Sequence, residues 1–151
     1  MANSPVLKIS KAARYQNAAL EYYLGLTNSP YLHYGYWDPL PTSVDQLTPA
    51  RLRIAQQAYA DRLFTYLPAE VKTILDVGCG IGGNAASLLA KGFRVEGVAP
   101  DPFQQTQFLQ RTQGNAKFYL SRFEDLPSSE QYDLLLFSES SQYIEASDLA
   151  I

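Results

Sequence analysis

The sequence has one cysteine among 151 residues and no long hydrophobic run. A membrane-spanning helix needs about 20 consecutive apolar residues, so we expect no transmembrane segment. Residues 1–10 also lack the apolar stretch of a secretory signal peptide. The single cysteine, Cys79, excludes an internal disulfide and is typical of a reducing compartment. These absences together predict a cytoplasmic protein.

An excess of positive charge is also missing. The chain has 12 lysines and arginines against 15 aspartates and glutamates, which gives a net charge of −3. This balance argues against nucleic acid as a partner. Hydrophobic residues make up 46% and charged residues 18%, which is the composition of a folded chain. The length fits one ordinary domain.

Two helical segments are predicted in the first half of the chain. The first begins at Lys11 and ends before residues 28–30. The second begins after Thr48, whose hydroxyl can cap a helix, with Pro49 at the first helical position. Between them, residues 31–39 form an aromatic loop. We therefore divide the chain into a helix and aromatic lid segment over residues 1–47 and a ligand-binding domain over residues 48–151.

The second half alternates between strands and helices. Strands are predicted at residues 73–77, 93–98, 117–120 and 132–137, with a helix over residues 84–91 and another after Asp101. Alternation of this kind predicts an α/β fold, a Rossmann-like doubly wound parallel sheet with helices on both faces.

A glycine-rich loop follows the first of these strands. Gly78, Gly80 and Gly83 fit the spacing of dinucleotide-binding loops, and Gly78, Gly80 and Gly82 fit that of S-adenosylmethionine-binding loops. Asp76 favours the second ligand, because a fixed carboxylate repels a pyrophosphate. S-adenosylmethionine has no phosphate and carries a sulfonium and an ammonium group.

At this loop the sequence resembles a known family. Residues 74–82 resemble motif I of the class I S-adenosylmethionine-dependent methyltransferases. Residues 95–104, 123–127 and 132–140 resemble later segments of the same family, in the expected order. The small-molecule subgroup that includes tocopherol and cyclopropane-fatty-acid methyltransferases is the most similar. Residues 33–37 resemble its N-terminal segment, which folds over the cofactor.

The resemblance implies S-adenosylmethionine as the cofactor and a small-molecule methyl acceptor as the partner. It also implies a sheet whose first four strands have the order 3-2-1-4. The residues expected to bind the cofactor are Asp76, Gly78, Cys79, Gly80, Gly82, Asp101, Phe123, Glu124, Ser138 and Tyr34. Two positions depart from the family pattern. Ala99 stands where an acid usually holds the ribose, which leaves Asp101 two residues later, where it can instead cap a helix. Arg122 stands where an aspartate near the adenine is frequent.

Two catalytic candidates lie near the expected site. His33 could act as a base over the acceptor, because histidine titrates near neutral pH, or it could be a hydrogen-bonded loop residue. Glu139 follows the fourth strand, at the edge where ligands bind in open α/β sheets, or it could be a solvated loop acid. The aromatic rings of Tyr34, Tyr36 and Trp37 could face the sulfonium or pack in the core.

The chain ends where a helix begins, at Ser147 and Asp148. Because the family sheet has seven strands, we expect a C-terminally truncated chain in which methyl transfer is weak or absent. One alternative is a non-catalytic binding module, in which a partner chain or a second copy covers the edge of the fourth strand. The other alternative is a nicotinamide-dinucleotide domain, which Asp76 disfavours.

Overall fold

The structure is a computed structural model that describes residues 11–126, 129 and 131–144. Four α-helices occupy this part of the chain: α1 (Lys11–Thr27), α2 (Pro49–Phe64), α3 (Gly83–Ala90) and α4 (Pro102–Arg111). Three short 3-10 helices cover Val44–Gln46, Phe123–Asp125 and Ser141–Tyr143. The helix start predicted at Ser147 lies outside the described residues.

Helices α1 and α2, which precede the sheet in the sequence, pack on each other. The predicted cap of α2 is confirmed, because the Thr48 hydroxyl accepts a hydrogen bond from the amide of Arg51 and Pro49 opens the helix. Arg53 of α2 donates to the carbonyl of Thr27, the last residue of α1, at 2.8 Å. This contact satisfies a carbonyl that would otherwise lack a partner at the helix end.

Four parallel strands form the sheet, in the order β3-β2-β1-β4. They are β1 (Thr73–Val77), β2 (Arg94–Ala99), β3 (Lys117–Leu120) and β4 (Leu134–Phe137). The predicted fold class and strand order are therefore confirmed. Within the described residues, β4 pairs with β1 alone.

Strand β4 begins two residues later than predicted. The side chain of Asp133 accepts hydrogen bonds from the amides of Lys72 and Thr73, and the hydroxyl of Tyr132 donates to Glu96 at 2.7 Å. The side chains of these two residues are therefore bonded to the start of β1 and to β2, before the ladder of β4 begins. Strand β2 is shifted by one residue from its prediction, to Arg94–Ala99.

The sheet has a hydrophobic cluster on each face. The larger cluster joins alternate strand residues, such as Ile74 and Val95, to Leu88 of α3 and Phe108 of α4. The smaller cluster centres on Leu75, Val77 and Val98 and is covered by residues of the 3-10 turns and their neighbours. In the described part of the chain, α-helices thus pack on one face of the sheet and turns on the other, so the helices predicted for the second face are not seen among the described residues. No helix among the described residues is long and apolar enough to cross a membrane.

Candidate functional site

The loop between β1 and α3 turns through three glycines with positive φ. The angles are +69° at Gly78, +53° at Gly80 and +83° at Gly82, a conformation that favours glycine. A side chain on Gly78 would overlap the Cβ atom of Ser140, and one on Gly82 would lie 2.9 Å from the ring of Phe108. The loop therefore requires glycine both for its backbone angles and for space.

A cavity of about 470 Å³ lies along this loop, at the carboxyl edge of the sheet. This volume is within the usual range for small-molecule sites. Helix α3 begins directly after the loop, so its first N–H groups, which have no acceptor inside the helix, lie beside the cavity. The lining comes from the segment between α1 and α2, from the glycine loop, and from the residues that follow β2, β3 and β4.

The segment from Pro30 to Tyr34 forms one wall of the cavity. Its Leu32 side chain lies against Gly80, and its Pro30 carbonyl lies against Gly83. The hydroxyls of Tyr31 and Ser87 are 3.1 Å apart and hydrogen-bonded. These contacts come from residues 30–32. Of the segment predicted to fold over the cofactor, residues 33–37, His33 and Tyr34 line the cavity, and its closure over the cofactor stays a prediction.

His33 lines the cavity from this wall. Its ring lies between Tyr31 and Tyr59, with centroids 5.0 Å and 4.2 Å away, and neither ring nitrogen has a hydrogen-bond partner. Burial lowers the pKa of His33 to about 4, so the ring is neutral at pH 7. No described protein atom supplies the hydrogen bond that the alternative interpretation expects for this ring. It has a free nitrogen, but it is a weak base.

Asp76 is buried in β1, and neither of its carboxylate oxygens has a partner. Burial raises the pKa of Asp76 to about 7. Burial and the nearby Asp76 charge also raise the pKa of the Cys79 thiol, which makes this thiol unreactive. Cys79 lines the cavity, whereas Asp76 is not among the lining residues. Contact between Asp76 and the cofactor therefore stays a prediction.

Three residues after β4 reach the cavity together. Ser140 donates to the carbonyl of Val77, which ties this turn to the end of β1. The Ser138 hydroxyl is buried without a partner. Glu139 is exposed and has a φ of +58°, an unusual value for a residue with a side chain. Such strained residues concentrate at functional sites, and here one carries a carboxylate.

The cavity wall near β3 contains Phe123 and Glu124. The Phe123 ring packs edge-to-face on Phe137, with centroids 5.7 Å apart. Glu124 forms an ion pair with Arg122 at 3.0 Å. A hydrogen bond from its own backbone and the contact with Arg122 hold the pKa of Glu124 below its ordinary value. At the position where the resemblance leads us to expect an aspartate, the chain thus has Arg122, and its guanidinium pairs with Glu124.

The end of β2 brings Ala99 to the cavity but not Asp101. The carboxylate of Asp101 caps α4, since it accepts from the amides of Phe103 and Gln104 at 2.7 Å and 3.4 Å. This is the second of the two roles predicted for Asp101. Gln104, in the first turn of α4, lines the cavity instead.

Only one of the three lid aromatics borders the cavity. Tyr34 lines it and is 79% exposed. The guanidinium of Arg62 lies 4.8 Å from the ring centre of Tyr36, and that of Arg51 lies 5.8 Å from Trp37. Both rings therefore pack against α2, and the idea that they face the sulfonium finds no support in their position.

Two polar residues of this region were not predicted. Asn84, in the first turn of α3, lines the cavity, and its side-chain oxygen is buried without a partner. Gln56 is fully buried in α2 and bonds to the segment that walls the cavity. A signal for Gln56 was present, because a glutamine interrupts the apolar stripe of α2 between Leu52 and Tyr59. Among the described residues, no group of three or more acidic, histidine or cysteine side chains could hold a metal ion.

Comparison with known proteins adds a family match. Residues 74–151 match the family profile described as "Methyltransferase domain", which covers just over half of the chain. Methyltransferase GfsG of Streptomyces halstedii is 46% identical over 68 residues, which are 44% of this chain and 23% of that protein.

Two solved structures share the fold over nearly the whole chain. A geranyl diphosphate methyltransferase in complex with GPP and sinefungin has a TM-score of 0.70 and 22% identity, over 91% of this chain and 57% of that one. Geranyl diphosphate C-methyltransferase from Streptomyces coelicolor A3(2) has a TM-score of 0.67 and 24% identity, over 97% of this chain and 60% of that one. The chain therefore spans less than a quarter of its curated relative and less than two thirds of these structures.

Proposed function

Since the chain belongs to the methyltransferase domain family, the class I methyltransferases that use S-adenosylmethionine as cofactor, we propose that its cavity binds this cofactor for methyl transfer to a small-molecule acceptor. The observation that carries the proposal is the glycine loop, where three positive-φ glycines end β1 beside a cavity of about 470 Å³. The division into a lid segment over residues 1–47 and a cofactor-binding domain over residues 48–151 is part of the proposal, as is a cytoplasmic location.

The described residues fit a ligand of this kind. The cavity presents buried polar atoms that have no partner in the protein: the side-chain oxygens of Asn84 and Ser138 and the ring nitrogens of His33. A buried polar atom without a partner is unfavourable, and a polar ligand would supply the missing hydrogen bonds. S-adenosylmethionine offers hydroxyl, amino and carboxylate groups for this purpose.

The bound cofactor supplies an electrophilic methyl group on a sulfonium. The protein's task is then alignment and the exclusion of water rather than covalent chemistry. The segment from Pro30 to Tyr34 closes one side of the cavity for this purpose. His33 is neutral at pH 7 and, although a weak base, can take a proton from the methyl acceptor. The Glu139 carboxylate can orient a methyl acceptor that carries a positive charge or a hydroxyl group.

A small-molecule acceptor is supported by two observations. The cavity is partly enclosed by protein on several sides, which suits a small ligand, and the net charge of −3 disfavours nucleic acid. The two similar structures are named for geranyl diphosphate as substrate. Among the described lining residues, the guanidinium of Arg122 pairs with Glu124.

The test compares alanine variants of two glycines that both have a positive φ. In Gly80→Ala, the new methyl lies 3.3 Å from Leu32 and presses on the cavity wall, at a φ of +53°. In Gly114→Ala, the φ is +72°, but nothing lies within 4 Å and the site is remote. We expect Gly80→Ala to weaken S-adenosylhomocysteine binding about tenfold and Gly114→Ala to leave it unchanged. Equal losses in both variants would contradict the proposal.

Two other outcomes would favour the alternative functions. Tighter binding of NAD than of S-adenosylhomocysteine would assign the loop to a dinucleotide. If folded protein bound neither ligand, a non-catalytic module would be favoured. Calorimetry with both ligands on the same preparation separates these cases, with circular dichroism as the check that the protein is folded.

A further inference from the structure

Gln56 connects three parts of the protein through one side-chain nitrogen. The two hydrogens on its Nε2 atom are shared among three acceptors: the carbonyl of His33 at 2.6 Å, the carbonyl of Tyr31 at 3.2 Å and the hydroxyl of Tyr23 at 2.9 Å. Carbonyl oxygens only accept hydrogen bonds, so these two partners fix which end of the amide faces the segment. The side chain is fully buried.

The segment that receives these bonds has no regular secondary structure of its own. Its backbone groups therefore need partners from elsewhere. A second attachment to α2 lies just beyond His33, where the amide of Tyr36 donates to the carbonyl of Ala55 at 2.7 Å. Gly35 allows this approach, because its φ is +86° and a β-carbon there would lie 2.6 Å from the Ala55 backbone.

The opposite side of the same segment packs on the glycine loop through the contact of Leu32 with Gly80, and on helix α3 through the contact of Tyr31 with Ser87. The segment is therefore held between α2 and the loop. Without the amide of Gln56, the carbonyls of Tyr31 and His33 would lose this hydrogen-bond donor. Because a buried carbonyl without a partner is unfavourable, we expect the segment to move to a position where water can reach these two groups.

We infer that Gln56 is a positioning residue for the cofactor: its amide holds residues 31–33 against α2 in the place where they wall the cavity. This inference rests on the proposed function, since it assigns a role toward the same ligand. Gln56 lines no part of the cavity itself, so it acts through the segment.

The test uses the single tryptophan of the chain, Trp37, which lies in the same loop. Gln56→Met keeps the length and apolar bulk of the side chain and removes the donor. We expect acrylamide to quench Trp37 more strongly in this variant without ligand, and the dissociation constant for S-adenosylhomocysteine to rise about tenfold. Gln57→Met is the matched control, because Gln57 is exposed and its side chain donates to Asp61 of the same helix.

A purely structural role is excluded by a second control. Asp133→Asn weakens the hydrogen bonds that join the start of β1 to β4, at the end of the sheet opposite the cavity. It should lower stability without changing Trp37 quenching or ligand affinity. If Gln56→Met does not fold, Gln56→Leu provides the same comparison, because a leucine side chain also has no hydrogen-bond donor.

The inference is overturned if folded Gln56 variants have the Trp37 quenching and the S-adenosylhomocysteine affinity of the wild type. It is also overturned if Asp133→Asn changes quenching and affinity as much as the Gln56 variants do. If the wild type does not bind S-adenosylhomocysteine, the proposed function fails. Trp37 quenching alone then decides whether Gln56 holds the segment.

Discussion

The side chain of Leu32 lies directly over Gly80: its Cδ1 atom is 3.3 Å from the point that a β-carbon on Gly80 would occupy. Leu32 belongs to the irregular segment after α1, and Gly80 is the middle of the three positive-φ glycines. This contact joins the N-terminal part of the chain to the loop that the family uses for its cofactor. The cavity is therefore a property of both parts together.

Removing the Leu32 side chain should weaken the packing of the irregular segment on the glycine loop. We expect Leu32→Ala to weaken S-adenosylhomocysteine binding by about three- to tenfold, the loss of a partly buried apolar contact. Leu40→Ala is the control, because Leu40 is 73% exposed on the neighbouring loop. Calorimetry on the two variants measures the difference. An effect of equal size in both would mean that the contact with Gly80 does not matter.

The left-handed backbone conformation of Glu139 should lower the free energy of unfolding. Its φ is +58°, and Gln113, which is exposed and does not line the cavity, has a φ of +53°. Glycine relieves this strain, so Glu139→Gly and Gln113→Gly should each raise the free energy of unfolding by about 0.5–1 kcal/mol. Urea unfolding checks both. A loss of stability in Glu139→Gly alone would show that the carboxylate makes a stabilising contact.

The charge of Glu139 should favour the charged form of the cofactor. S-adenosylmethionine carries a sulfonium that S-adenosylhomocysteine lacks, so a nearby carboxylate attracts the former more strongly. In Glu139→Gln we expect the ratio of the two dissociation constants to shift about two- to fivefold against S-adenosylmethionine. Gln113→Glu serves as a remote control of charge. An unchanged ratio would remove Glu139 from the surroundings of the sulfonium.

His33 and Asp76 should act oppositely on stability as pH changes. The pKa of His33 falls on folding from 6.5 to about 4, so the unfolded state binds more protons in that window and stability rises with pH. The pKa of Asp76 rises from 3.8 to about 7, so the folded state binds more protons and stability falls with pH. The two slopes oppose each other between about pH 4 and 6.5.

A variant that removes one of these two groups should show the pH dependence of stability that the other group causes. Asp76→Asn leaves His33, so stability should increase from about pH 4 to 6.5. His33→Phe leaves Asp76, so stability should decrease by up to about 4 kcal/mol from pH 4 to 7. Urea unfolding at intervals of half a pH unit measures both profiles. Parallel profiles for the two variants would refute this explanation.

Gly97 should tolerate no side chain. A β-carbon there would lie 2.6 Å from the ring of Phe108 and 2.7 Å from the sulfur of Cys79, inside the larger core cluster. We expect Gly97→Ala to lower the free energy of unfolding by about 1–3 kcal/mol, as overpacking does. In Gly25→Ala of α1, nothing lies within 4 Å, and the change should stabilise the helix by up to about 1 kcal/mol. Thermal unfolding of the pair tests this contrast.

The fold could be predicted from the sequence because its signals are local. Thr48 and Asp101 each precede a proline, and both cap helices as predicted. The strands follow from short apolar runs, and β1 and β3 match their predicted bounds. The start of β4 was missed because it depends on contacts of Tyr132 and Asp133 with residues far away in the sequence.

The site was only partly predictable, for the same reason. The glycine loop is a local pattern, and the structure places Gly78 and Gly80, but not Gly82, among the residues that line the cavity. Whether a ring faces the cavity depends on tertiary packing, and the stacking of Arg62 on Tyr36 could not be read from spacing. The burial of His33 between two tyrosines, and hence its lowered pKa, also required the packed structure.

The most direct test of the central claim is calorimetric titration of the folded chain with S-adenosylhomocysteine and, separately, with NAD. We predict one S-adenosylhomocysteine per chain, bound with a dissociation constant below about 1 mM, and weaker or no binding of NAD. Absence of S-adenosylhomocysteine binding at millimolar ligand, or tighter binding of NAD, would contradict it.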